Sequence, residues 1–166
     1  MFRGMTLLET MIALLLVGLS MTVLVLAFLG SGQYGVISRR QANAITVARS
    51  IANQLNHAAW TDARLANSNT GNDTDFADAA GIFAGATVPT GANAADSALG
   101  PITVGDESFD TYVNVLPQMD PLNNTIEMGR LFAVIVRYRV GTRFNRAVVL
   151  GYRYNPGTVG VGQLPL

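Results

Sequence analysis

The sequence predicts an α+β protein: a long N-terminal helix, its first part apolar enough to cross a membrane and its second part amphipathic, packed on a C-terminal antiparallel sheet of three or four strands. Three observations carry this. No charge interrupts the chain between Glu9 and Arg39, and most residues of that run are apolar. A three-and-four spacing of apolar residues follows it, and after residue 106 the period becomes two, the repeat of half-buried strands.

The first element covers residues 5–35. Met5 to Leu29 is rich in Leu and Met and has no proline. About twenty such residues suffice to span the hydrocarbon of a bilayer, and apolarity on all sides is what a helix in lipid requires. Gly30, Gly32 and Gly35 then predict a weakening of the helix. A second helical stretch, 36–60, places Ile37, Ala44, Ala48, Ile51, Leu55 and Ala59 on one face, with Arg39, Arg40, Asn43, Arg49, Asn53 and Asn56 elsewhere. Roughly 55 helical residues would measure roughly 80 Å, of which a bilayer core takes up about 30 Å. The amphipathic part therefore has to bury its stripe outside the membrane.

Residues 61–105 read as loop, because Asn, Asp, Thr, Ala and Gly dominate and Pro89, Gly91 and Gly100-Pro101 are turn signals. Ala77 to Phe83 is the one place where a short helix is expected. The sheet is predicted over 106–155. Phe109, Thr111, Val113 and Val115 share a strand face that ends near Pro117. Leu131–Val140 alternates Phe132, Val134, Val136 and Tyr138 against Ala133, Ile135, Arg137 and Arg139. Phe144–Tyr154 alternates Phe144, Val148, Leu150, Tyr152 and Tyr154 against Asn145, Ala147, Val149 and Arg153. Gly141-Thr142-Arg143 is short enough to join these last two strands as a hairpin. Sheet and amphipathic helix each need a cover, and packing one on the other supplies both. Ala48, Ile51 and Leu55 are accordingly expected against Val134, Val136 and Val148.

Composition narrows the chemistry. The chain has 166 residues, balanced formal charge and no cysteine, and its cations are all arginine. A disulfide-stapled domain and thiol catalysis are excluded, and no basic footprint for nucleic acid is evident. His57 has no His or Cys companion with which to form a metal or nucleophile set. Asp73, Asp75 and Asp78 are spaced faintly like the start of a calcium loop, but that motif's glycine and closing glutamate are missing, so they read as a solvated acidic loop. Arg137, Arg139, Arg143, Arg146 and Arg153 read as solvating the open face and edge of the sheet, or as facing an acidic neighbour or membrane surface. With no Ser/His/Asp set, phosphate-cradling loop or placed carboxylate pair, no catalytic residue, metal or cofactor is assigned, and the chain does not read as an enzyme.

Gly4-Met5-Thr6-Leu7-Leu8-Glu9 opens directly into the apolar run. A carboxylate at such a position costs several kcal/mol if drawn into lipid, which makes it a functional-site candidate by default; the alternative is a solvated helix-start acid that reaches the headgroups and favours the helix dipole. Glycine, then a long apolar segment with glutamate at the fifth place, resembles the class III leader of type IV prepilins, pseudopilins and related filament subunits. The resemblance implies a leader of residues 1–4, cleavage between Gly4 and Met5 by a prepilin peptidase, N-methylation of Met5, and a role for Glu9 in subunit assembly. It also implies an exported head of residues 36–166 and a pilin-like fold. Met5 stands where the family usually has phenylalanine, Leu26 where many major pilins carry proline, and the C-terminal disulfide common in pilins cannot form.

The short leader and the three-strand C-terminal pattern look more like a minor pilin or pseudopilin, of the PilV-like or I-type kind, than a major pilin. The implied partners are other pilin or pseudopilin subunits, the prepilin peptidase, the inner membrane and the assembly platform of a pilus or secretion machine. The implied location is the inner membrane with a periplasmic head, then a filament at the cell surface. The alternative is a signal-anchored exported binding domain that does not polymerise. An ordinary secretory signal, with Arg3 as its basic start and Gly30-Ser31-Gly32 as its small residues, fits less well because the apolar run is too long.

Overall fold

The structure, a computed structural model, describes residues 7–158. The chain divides into two units, Met1–Arg39 and Arg40–Leu166, four residues beyond the boundary expected from sequence. Helix α1 runs from Leu7 to His57 without interruption. The expected weakening at Gly30, Gly32 and Gly35 is absent. Each glycine costs about 1 kcal/mol against alanine in a helix, but no proline removes a backbone donor, so the ladder of hydrogen bonds continues through them.

Four strands form one antiparallel meander in the order β1-β2-β3-β4: Ser97–Val104, Glu107–Asp120, Asn123–Val140 and Arg143–Tyr154. The sheet therefore begins nine residues earlier than expected (97 instead of 106), inside what reads as loop. Two of its turns are built alike. Gly105-Asp106 and Gly141-Thr142 each join strands through two residues, with the glycine at φ 61° and 60°. A positive φ at the first central residue is the type II′ geometry, which matches the twist of the flanking strands and favours glycine. The β2–β3 turn at Pro121-Leu122 is closed by Asp120, whose carboxylate accepts from the Leu122 N–H.

The inner face of the sheet meets the second half of α1. Ala44, Val47, Ala48, Ile51, Ala52 and Leu55 are buried against Phe109, Val113, Val115, Phe132, Val134 and Val136. Full burial of a side chain such as Leu55 contributes roughly 1.5–3 kcal/mol. This is the predicted packing with one correction: Val148 lies opposite Ile135, on the other face, and Ala147 and Val149 point to the helix instead. Strand β4 has apolar residues at both parities, so alternation alone did not fix its sides.

The outer face is not left open to solvent. The 3₁₀ turn Ala63–Leu65 first puts Leu65 into the inner cluster, and residues 66–96 then fold back over the outer face through three more short 3₁₀ turns, Thr70–Asp75, Ile82–Ala84 and Gly91–Asn93, and cover a second cluster of Phe83, Tyr112 and Ile135. The short helix expected over 77–83 does not form. Asp78 (φ 51°) and Gly81 (φ 77°) are left-handed there and break any helical run.

Candidate functional site

In the N-terminal unit, the side chains from Leu7 to Leu29 are exposed on every side of α1 apart from a half-buried Ala13, with Leu7, Leu14 and Phe28 among the most exposed. This is the one helix among the described residues that is long and apolar enough to cross a membrane. Its few polar groups are satisfied internally. Thr10 donates to Leu7 O, Ser20 to Leu16 O, Thr22 to Gly18 O and Ser31 to Phe28 O, at 2.8–2.9 Å. A helix that closes its own hydroxyls in this way presents hydrocarbon to its surroundings and leaves no donor stranded in lipid.

Glu9 sits in the first turn of α1 and is exposed. There its charge suits the positive end of the helix dipole. Gly4 and Met5, the cleavage and methylation positions expected from the motif, lie outside the described residues.

In the C-terminal unit the charged residues have been drawn into the architecture. The acidic segment is not merely solvated, as the sequence suggested. Asp78 is 1% exposed, pairs with Arg146 and accepts from the Phe83 N–H. Burial pushes its carboxyl above the usual range, against the hydrogen bond from Phe83 and the charge of Arg146. Asp75 accepts from the Ala79 and Ala80 N–H groups, and Asp73 from the Asn67 amide. Their oxygens thus serve the loop itself. Among the described residues no group of three or more His, Cys, Asp or Glu is placed to hold a metal ion.

The arginines, expected to solvate the open face, instead fasten loop and helix carbonyls to the sheet. Arg137 is 4% exposed, donates to Gly85 O and Ala86 O and stacks on Phe144. Arg153 donates to Asn56 O and Ala58 O, carbonyls at the end of α1 that no longer have helical partners. Arg130 reaches Trp60 O and Leu65 O. Arg40 is held by Glu107 and donates to Arg139 O, beside an open groove of about 530 Å³. Arg143, by contrast, is exposed at the start of β4. His57 is exposed in the last turn of α1.

Sequence reading missed Asp96. One carboxylate oxygen accepts from the Ser68 and Asn69 N–H groups and the other from the Val115 N–H, all at 2.7 Å, so this residue ties both ends of the loop to β2. Nothing in the local pattern distinguishes it from the other loop acids.

These features define an α+β domain carrying an apolar helical N-terminus. No family model matches the chain, and neither does any curated protein or solved structure.

Proposed function

We propose that the chain is a pilin-like structural subunit, a minor pilin or pseudopilin, which is cut between Gly4 and Met5, methylated on Met5 and packed into a filament through its apolar helix. The observation that carries this reading is α1 itself. Its first half exposes hydrocarbon all round, and its second half is the inner layer of an α+β domain. An apolar helix of this kind suits storage in a bilayer and, equally, burial among copies of the same helix in a filament core. Its partners in this reading are other pilin or pseudopilin subunits, the prepilin peptidase, the inner membrane and an assembly platform.

Glu9 acts in assembly. Cleavage after Gly4 creates a cationic amine on Met5, and the carboxylate of one subunit pairs with the amine of the next inside the apolar core. Either charge buried alone would be costly, so the pair also sets the axial register between subunits. The test is intact-mass analysis of the membrane-purified protein from a peptidase-competent cell, followed by recovery of sheared filaments. Loss of Met1 to Gly4 with gain of a methyl group is expected, and Glu9→Ala should be cleaved normally yet enter filaments poorly. Recovery of only the full-length chain, never found in filaments, would favour a signal-anchored binding domain.

A further inference from the structure

The two edges of the sheet are built differently. Edge strand β1 has eight residues, contains Gly100-Pro101 and is bulged between Ala98 and Gly100. Short length, proline and a bulge are the usual means by which a sheet edge is kept from pairing with another chain. Edge strand β4 has none of these. It runs twelve residues without proline and stays in unbroken register with β3 from Arg143 to Tyr154.

Its free hydrogen-bonding groups can be placed. Asn155 N–H donates to Met128 O, and the strands pair so that Gly129 faces Tyr154 and Arg130 faces Arg153. In an antiparallel ladder, hydrogen-bonded pairs alternate with pairs whose N–H and C=O point away. Asn155 and the odd-numbered residues of β4 therefore bond to β3. Phe144, Arg146, Val148, Leu150, Tyr152 and Tyr154 direct their backbone groups outward, and those groups have no hydrogen-bond partner among the described residues.

The charges around this edge are of one sign. Strand β4 contains Arg143, Arg146 and Arg153 and no carboxylate. Arg146 is paired with Asp78. Arg143 at the start of the strand and Arg139 beside it on β3 form no ion pair among the described residues and are exposed, whereas Arg153 at the far end is held by the Asn56 and Ala58 carbonyls. Further along the strand Leu150 is 56% exposed.

We infer that β4 is a docking edge for an extended acidic segment of another protein, which adds as a fifth strand with apolar residues over Leu150 and carboxylates toward Arg139 and Arg143. Backbone pairing supplies the attachment and the two arginines at the start of the strand select the sign of charge. This holds whether or not the chain enters a filament.

The test uses the full chain in detergent and a labelled peptide of alternating valine and threonine with paired glutamates at both ends, followed by fluorescence anisotropy. A matched peptide with lysines at its ends serves as control. The glutamate peptide should bind at least about tenfold more tightly, with affinity falling as salt rises. Hydrogen exchange should slow at the outward amides of Val148, Leu150 and Tyr152. Leu150→Pro removes one outward N–H without touching the ladder to β3 and should abolish binding. Arg143→Glu, a surface change, should weaken the glutamate peptide and improve the lysine peptide. Equal binding of the two peptides, or full binding by Leu150→Pro, overturns the proposal. So does self-association that Leu150→Pro abolishes, because the edge would then belong to a second copy.

Discussion

The two faces of the sheet are covered by different means. On the inner face a helix buries alanine, valine, isoleucine and leucine against aromatic and β-branched residues, and cohesion comes from apolar area removed from water. On the outer face a loop with few large side chains is held by directed bonds: Asp96 to three N–H groups, Arg137 to two carbonyls, Arg146 to Asp78. Apolar contact is non-directional and shared by the whole domain, whereas each polar tie secures a particular stretch of loop. Damage to the inner face should therefore unfold everything, and damage to the outer face should release the loop first.

The largest effect is expected from Leu55→Ala. Leu55 is fully buried at the centre of the inner cluster, and truncation should cost roughly 2–5 kcal/mol with a uniform loss of protection across helix and sheet. Chemical denaturation of the full chain in detergent, followed by hydrogen exchange, measures both. A loss below about 0.5 kcal/mol, as at a surface site, would mean that the inner face is not the common core.

Next comes Asp96→Ala, at about 2–3 kcal/mol, because the hydrogen bonds it makes are charge-assisted and the Val115 N–H lies in the interior. Its signature should be local. Amides between Asn67 and Asp96 should exchange quickly while those of Ala48, Val113 and Val134 keep their protection. Uniform loss of protection would erase the proposed distinction between the faces.

Gly151→Ala should cost roughly 1–3 kcal/mol, the ordinary range for overpacking. The ring of Phe132 occupies the space that a Cβ at Gly151 would fill, so the aromatic ring must move within the inner core. Its loss should be uniform, like that of Leu55→Ala. An unchanged midpoint would show that the ring has room to give.

The same contrast decides what sequence could reveal. The inner face follows from period: Phe109, Val113, Val134 and Val136 alternate as required, and Ala48, Ile51 and Leu55 recur at helical spacing. The outer cover does not, because Asp and Asn have the same composition whether they face water or accept from a backbone N–H. Strand β1 was hidden by Gly100-Pro101, which signals a turn in isolation but is tolerated on a sheet edge. The N-terminal helix was legible from its lack of charge, yet its continuity through Gly30, Gly32 and Gly35 was not. The candidate assembly residue Glu9 stood out for the opposite reason to Asp96, as one acid at the entrance to an apolar run.

The smallest effect concerns acid, and it separates two carboxylates of the same loop. Asp62 starts the 3₁₀ turn Ala63–Leu65, accepting from the Arg64 N–H at 2.9 Å and from its guanidinium at 2.7 Å. The Arg64 side chain, and then its backbone N–H, lower the Asp62 carboxyl from 3.8 to about 2. Since the folded value lies below the unfolded one, the stabilisation from Asp62 is complete above about pH 5 and is lost as pH falls toward 2. The pair is at the surface and screened, so its whole worth should stay below about 1 kcal/mol. Asp62→Asn, measured by thermal unfolding from pH 7 to pH 2, should show a small deficit at neutral pH that disappears in acid. Asp78 has the opposite sign: burial raises its folded value, so its share of stability improves as pH falls through that value. An Asp78→Asn chain should therefore lose its own deficit less readily than Asp62→Asn on acidification. Parallel acid profiles for the two variants would mean that Asp78 titrates like a surface acid and that the outer face is not sealed from water at that point.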